Sequence, residues 1–393
     1  MSTTSQRKRQ LFMVCATAGA LALTACSGTP ESSGSAATPG ATSASSSSSG
    51  ATTFTMTMEE ELANVGQTSS TDFCGTKPIT VGIQDGLGGN PWSLASMAAV
   101  RSEVAKCSNV KEIVQIGEGD LQKSISQINS MVAQGVDAII VIPDFGKAEL
   151  PAIQAATNAG VKVVPWGADA SGQAGKDFVT YVDWSSPDAG TYWAEWMVKT
   201  LGGKGNVLFL GGPAGNPVTA GQLKSIVEVF EKNPGMTLLT GKTDWPVTNW
   251  DPATSQQVTA SLLAKFPKID GVISDYSDSA LAAMRAFKTA NRPLVPLATL
   301  DSNGLACLYQ DEKGKSGFQL ATISSRNWLG RVAARHAIAA AAGITNTEPS
   351  TYSLPIIEDT MAGKDPKCIP GAPDDAYNSS QISPEDLAKY GTK

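Results

Sequence analysis

The sequence predicts an α/β protein built from two doubly wound parallel sheets, and three observations carry that expectation. Short β-branched runs recur along most of the chain, their apolarity is continuous rather than alternating, and helical periods separate them. Continuous apolarity marks strands covered on both faces, as in parallel sheets, and strand alternating with helix marks βαβ units. With 393 residues, 41% of them hydrophobic, the chain can bury two domain cores.

The predicted strands, in order, are 79–83, 112–114, 138–142, 162–164, 178–182, 206–210, 271–273 and 296–300, each bounded by Gly, Asp or Pro. Leu121, Ile125, Ile128 and Val132 fall on one helical stripe, as do Leu223, Ile226, Val227 and Phe230. Gly135, Gly160 and Gly202 stand just past helix ends, where a left-handed cap is wanted. About four βα units precede residue 182 and about four more precede residue 325, so two similar domains are expected rather than one large sheet. The tail from Met361 is rich in Pro and Gly, with a short helix expected at Ser383-Pro384-Glu385-Asp386, whose Ser and Pro suit N-cap and N1.

The N-terminus reads as an export signal. Arg7-Lys8-Arg9 is followed by an uncharged apolar stretch at 11–25, shorter than the roughly 20 residues of a membrane-spanning helix. That stretch ends in Leu23-Thr24-Ala25-Cys26, which resembles a bacterial lipobox; the resemblance implies cleavage before Cys26 and its diacylation. Residues 27–53 contain only Ser, Gly, Thr, Pro, Ala and Glu31, a composition expected to form a flexible tether. In an oxidising compartment the four remaining cysteines allow three pairings. The expected pairs are Cys74–Cys107 and Cys307–Cys368, because a strand running up and a helix running back bring Cys74 and Cys107 to one edge.

Further along, the motifs come in a recognisable order. Gly86-Leu87-Gly88-Gly89 leads into Asn90-Pro91-Trp92; then come Gln134-Gly135-Val136-Asp137 with its apolar strand, and Ala159-Gly160-Val161-Lys162. Lys268-Ile269-Asp270-Gly271, Ala280-Leu281-Ala282-Ala283 and Leu300-Asp301 follow. Over roughly residues 77–345 this order resembles type I periplasmic binding proteins of the ribose/galactose class. The resemblance implies two Rossmann-like lobes joined by three crossings, near Asp183, Ser325 and Glu348, that close on a ligand. It divides the chain into a signal at 1–25 and a lipidated tether at 26–75. An N-terminal lobe at 76–182 plus 326–347 follows, with a C-terminal lobe and tail at 183–325 plus 348–393. The family's repressors carry a helix-turn-helix where this chain carries signal and tether, so a repressor is not expected.

Ligands of open parallel sheets sit beyond the carboxyl ends of the strands. The residues there are 85–92, Asp144-Phe145, 166–169, Asp183-Trp184, 211–216, 275–278 and Asp301-Ser302-Asn303, in which Asp, Asn and Trp dominate. Carboxylates and amides pair with sugar hydroxyls, and indoles cover the apolar C–H face of a sugar ring. Trp166, Asp183, Trp184 and Asp275 are candidates on this ground. By resemblance Asn90 and Trp92 contact ligand, Trp92 by stacking. Asp301 matches a buried aspartate that accepts from sugar hydroxyls, and Trp250 falls near a second stacking aromatic. The pattern also departs from the family: Gly167-Ala168 replaces an Asp-Arg pair, a residue near Gln222 replaces an Arg, and Tyr276 replaces an Asn. Arg326 is expected to supply the missing guanidinium, since a planar fork suits vicinal hydroxyls.

Other chemistry is argued against. A net charge of −6 disfavours nucleic acid as partner. His336 is the single histidine, which removes His-based zinc sites and leaves one candidate for a Ser–His pair. Gly241-Lys242-Thr243 looks like a phosphate loop, but Met236 stands where its first Gly belongs. No GxGxxG or GxSxG element fits, so neither cofactor nor catalysis is expected. The expectation is a monomeric lipoprotein on the outer face of the cytoplasmic membrane, passing a monosaccharide to an ABC permease. Its alternatives are a receptor that reports to a membrane sensor and a binder of an aromatic solute.

Overall fold

Three helices begin on an Asn-Pro or Asp-Pro pair, and these starts organise the functional end of the molecule. Asn90, Asn216 and Asp251 each stand in extended backbone, and their side chains accept from the Ser93, Val218 and Thr254 amides that the first turn leaves open. Pro follows at N1, where its missing N–H costs nothing. The computed structural model in which this is seen describes residues 54–55, 68–182 and 184–391.

One sheet holds β2 (Ile79–Asp85), β3 (Val110–Ile116), β4 (Ala138–Ile142) and β5 (Lys162–Pro165) in the order β3-β2-β4-β5, all parallel. Around it lie α1 (Pro91–Val104), α2 (Leu121–Ala133) and α3 (Leu150–Asn158). The other sheet holds β6 (Gly205–Leu210), β7 (Met236–Leu238), β8 (Gly271–Ser274), β9 (Leu297–Leu300), β10 (Leu320–Ile323) and β12 (Ile356–Asp359). Its order is β12-β10-β9-β8-β6-β7, antiparallel only between β10 and β12. With it go α4 (Ser186–Thr200), α5 (Pro217–Glu231), α6 (Pro252–Lys265), α7 (Ser277–Thr289) and α8 (Asn303–Glu312). Then α9 (Leu329–Ala342) returns to pack on α1, β4 and β5. A two-residue strand, β1 (Phe54–Thr55), pairs in parallel with β11 (Tyr352–Ser353).

β4 and β8 are buried along their whole length, as continuous apolar runs require. Helices α4 and α5 lie in close contact at Gly190, where a Cβ would meet the carbonyl oxygen of Gln222 at 2.3 Å. Both expected disulfides are present, Cys74–Cys107 with Cα atoms 5.3 Å apart and Cys307–Cys368 at 4.5 Å.

Three expectations need correcting. Residues 178–182 form no strand; Val182 makes only a single bridge to Trp166. The segment still runs beside β5, where the Val179 and Val182 amides donate to the Val163 and Pro165 carbonyls at 2.9 and 3.0 Å. The Asp177 carboxylate closes the loop before it by accepting from the Gln173 amide at 2.8 Å and from Gln154 at 2.9 Å. Strand β10, buried throughout, was absent from the expected strands. The tail does not stay with the C-terminal lobe, because its last helix, α10 (Pro384–Tyr390), packs on α1 of the N-terminal lobe. The signal, Cys26 and the tether lie outside the described residues.

Candidate functional site

The strand ends of the two sheets face each other across a narrow cavity of about 30 Å³. Asn90, Trp92, Trp250, Asp275 and Arg326 line it together, joined by Asp144, Tyr276 and Gly167. Larger is a groove of about 510 Å³ along β2, α1 and β3, but every residue lining it belongs to the N-terminal lobe or to Gly391. Only the smaller cavity draws on the strand ends of both sheets, where the fold places ligands.

Trp92 is held from three sides. Its indole N–H donates to the Ser325 carbonyl at 2.7 Å, its ring stacks on Trp166 with centroids 5.9 Å apart, and Arg326 lies 5.0 Å over the ring. Trp166 and Trp184 are only 2% and 1% exposed and do not line the cavity. They act from behind: Trp166 backs Trp92, and Trp184 sits 3.7 Å below the Arg326 guanidinium. Arg326 itself adopts φ +60°, a strained backbone for a residue with a Cβ, on the crossing between β10 and α9.

On the other lobe, Asp275 accepts from the Trp250 indole at 3.0 Å, from the Gly212 amide at 3.0 Å and from the Thr219 hydroxyl. Gly212 must lack a Cβ, since one would meet the Trp250 ring at 2.2 Å. Burial pushes Asp275 up to about 6, partly offset by those three donors and by Arg326, so it is largely ionised at neutral pH. Asp144 behaves otherwise: burial and the neighbouring Asp85 and Glu149 carboxylates drive it well above the usual range. Arg326 and Asp275 present opposite charges, a donor and an acceptor. The cavity therefore offers donor, acceptor and two indole plates, the set that a polyhydroxylated carbon skeleton requires.

Asp301 does not line this cavity. Its oxygens accept from the Ser325 amide at 2.7 Å, from the Ser379 amide at 2.8 Å and from the Ser379 hydroxyl at 2.7 Å, so the chain around 325 and 379 takes up both of them. Asp183 lies outside the described residues. Asp144 and Tyr276, read from the sequence as strand-end residues but not among the named candidates, also line the cavity.

Beside Asp301, burial and that carboxylate push Glu358 from 4.5 up to about 8. An acid whose pKa is raised on folding contributes stability below its unfolded value and loses it as pH rises towards the folded one. The melting temperature is thus expected to fall between pH 5 and pH 8. Asp144, Glu149 and Asp275 act in the same direction, so Glu358→Gln should reduce that slope and raise the melting temperature at pH 8. A Gln variant with the wild-type slope in melts across that range would show that Glu358 is not the group responsible.

Residues 87–345 match the family described as periplasmic binding protein domain. A xylitol-binding protein of Mycolicibacterium smegmatis is 30% identical over 203 residues, 50% of this chain and 55% of that protein. The ribose import binding protein of Bacillus subtilis is 24% identical over 56% of this chain and 68% of its own length. The match therefore spans little more than half the length of the xylitol-binding relative. Among solved structures, a Caulobacter myo-inositol binding protein bound to myo-inositol superposes with a TM-score of 0.62 at 20% identity. That superposition covers 71% of this chain and 92% of the other, and it establishes a common fold.

Proposed function

The chain belongs to the periplasmic binding protein domain family, and from that membership we infer that it captures a small sugar or sugar alcohol between its lobes for an ABC importer. The observation that carries this reading is the interlobe cavity, in which Trp92 and Trp250 flank Asp144, Asp275 and Arg326. Closing the lobes on a ligand removes water, so each hydrogen bond to a hydroxyl forms in a drier and electrostatically stronger site. The xylitol- and ribose-binding relatives favour a solute of pentose or pentitol size. Contacts to it are assigned to Asn90, Trp92, Asp144, Trp250, Asp275 and Arg326.

Location and anchoring are part of the same reading. The basic, apolar and Leu23-Thr24-Ala25-Cys26 segments support export and a lipid on Cys26, and the Ser-rich tract supports a tether to the membrane's outer face. Among the described residues no helix is long and apolar enough to cross a membrane.

Calorimetry and thermal shift with pentoses, pentitols and inositols test the reading. Saturable binding of at least one is expected, with a melting temperature that rises with ligand concentration as mass action requires. No heat and no shift from any of them would overturn it.

A further inference from the structure

The segment after Cys368 lies beyond the residues matched to the family, yet it touches both lobes and the cavity wall. Its start is bound to α8 of the C-terminal lobe by the Cys307–Cys368 bridge, and its end is α10, packed on α1 of the N-terminal lobe. At that end the Arg101 guanidinium of α1 donates to the Tyr390 carbonyl at 2.9 Å. Between these anchors the segment runs through the hinge. Ser379 binds Asp301, Ser380 donates to Asn327 Oδ1 at 2.6 Å, and Asn327 donates to the Trp92 carbonyl at 2.9 Å.

Tyr377 comes from the same segment and is 8% exposed. Its hydroxyl donates to Asp278 at 3.1 Å and lies 3.3 Å from the hydroxyl of Tyr276. Tyr276 shares the Asp278 carboxylate with Tyr377. The two phenols pack with Ala95, and Trp92, Trp250 and Ile382 close round them. Tyr276 lines the cavity and Tyr377 does not.

We propose that residues 368–391 form a fourth, disulfide-anchored crossing between the lobes, in which Tyr377 is a positioning residue that sets Tyr276 and Trp92 for ligand. This rests on the cavity being the sugar site. The crossing has to be in place for the wall to hold its shape, so affinity depends on a hydroxyl that ligand never touches.

Tyr377→Phe keeps the ring and removes the donor. Titrated with xylitol, D-ribose and myo-inositol, it should bind about tenfold more weakly than wild type while melting within about two degrees of it. If Tyr377 works through Tyr276, adding Tyr377→Phe to a Tyr276→Phe protein costs no further affinity. Unchanged affinity in the single variant, or fully additive losses in the double, would overturn the proposal. Should wild type bind none of the three probes, nor any other compound of the pentose, pentitol and inositol panel, the sugar reading itself fails. Amide exchange then decides the crossing alone: faster exchange at 92–95 and 276–280 in Tyr377→Phe supports it, and unchanged exchange overturns it.

Discussion

Arg335→Met is expected to cost about 3–5 kcal/mol of folding stability and to lower the melting temperature by several degrees at pH 7. Arg335 sits on α9 with its side chain 6% exposed, and it pairs at 3.1 Å with Glu103 on α1, whose side chain is 1% exposed. Its other face meets Glu348, at the third crossing, through a bond of 2.8 Å from Nε and a second from the adjacent nitrogen. One guanidinium therefore joins the helix that leaves the hinge, the helix beneath it and the strand of chain that re-enters it. Removing it leaves Glu103 in a dry interior with Lys106, at 2.8 Å, and the neighbouring Arg331 as its remaining counter-charges. The double variant Glu103→Met, Arg335→Met removes charge and partner together and should recover most of the loss. Calorimetric or fluorescence melts decide it: a single variant melting within a degree of wild type would show that the pair carries no weight at the hinge.

What the sequence makes legible follows from how local the responsible physics is. β4 is readable because Ala138-Ile139-Ile140-Val141-Ile142 is apolar on both faces, and the start of α1 is readable because Asn90-Pro91 is a cap in any context. The two disulfides follow from strand–helix geometry and a short count of thiols. Strand β12 is harder: Ile356-Ile357-Glu358-Asp359 carries two acids in a row, and only its pairing with β10 brings Glu358 against the Thr322 hydroxyl. Asp301 shows the limit for the site. Its place after β9 marks it as a strand-end carboxylate, but nothing near it in the chain reveals that the Ser379 amide and hydroxyl fold back to consume it. Tyr377 is opaque for the same reason, since its partners Tyr276 and Asp278 lie about a hundred residues away.

Trp92→Ala is expected to weaken ligand binding at least a hundredfold, equivalent to about 2.7 kcal/mol. Two separate losses add to that figure. The ring is the plate that faces the cavity from the N-terminal lobe, and stacking of this kind is worth about 1 kcal/mol beyond the area it covers. The indole N–H also holds the Ser325 carbonyl next to Arg326, so its removal frees the residue whose strained φ of +60° aims the guanidinium. Without the indole, Arg326 keeps the Trp184 ring and is no longer clamped between two rings. Trp92→Phe separates the contributions, because it keeps a plate and loses the donor; an intermediate loss of about tenfold is expected, the scale of one hydrogen bond with its positioning effect. Titration well below the melting temperature of each variant keeps stability out of the comparison. If Trp92→Ala binds the same polyol as tightly as wild type, the cleft between the lobes is not where this protein holds its ligand. If Trp92→Phe is as damaged as Trp92→Ala, the weight lies in the bond to Ser325, and Arg326 rather than the indole plate is the principal contact.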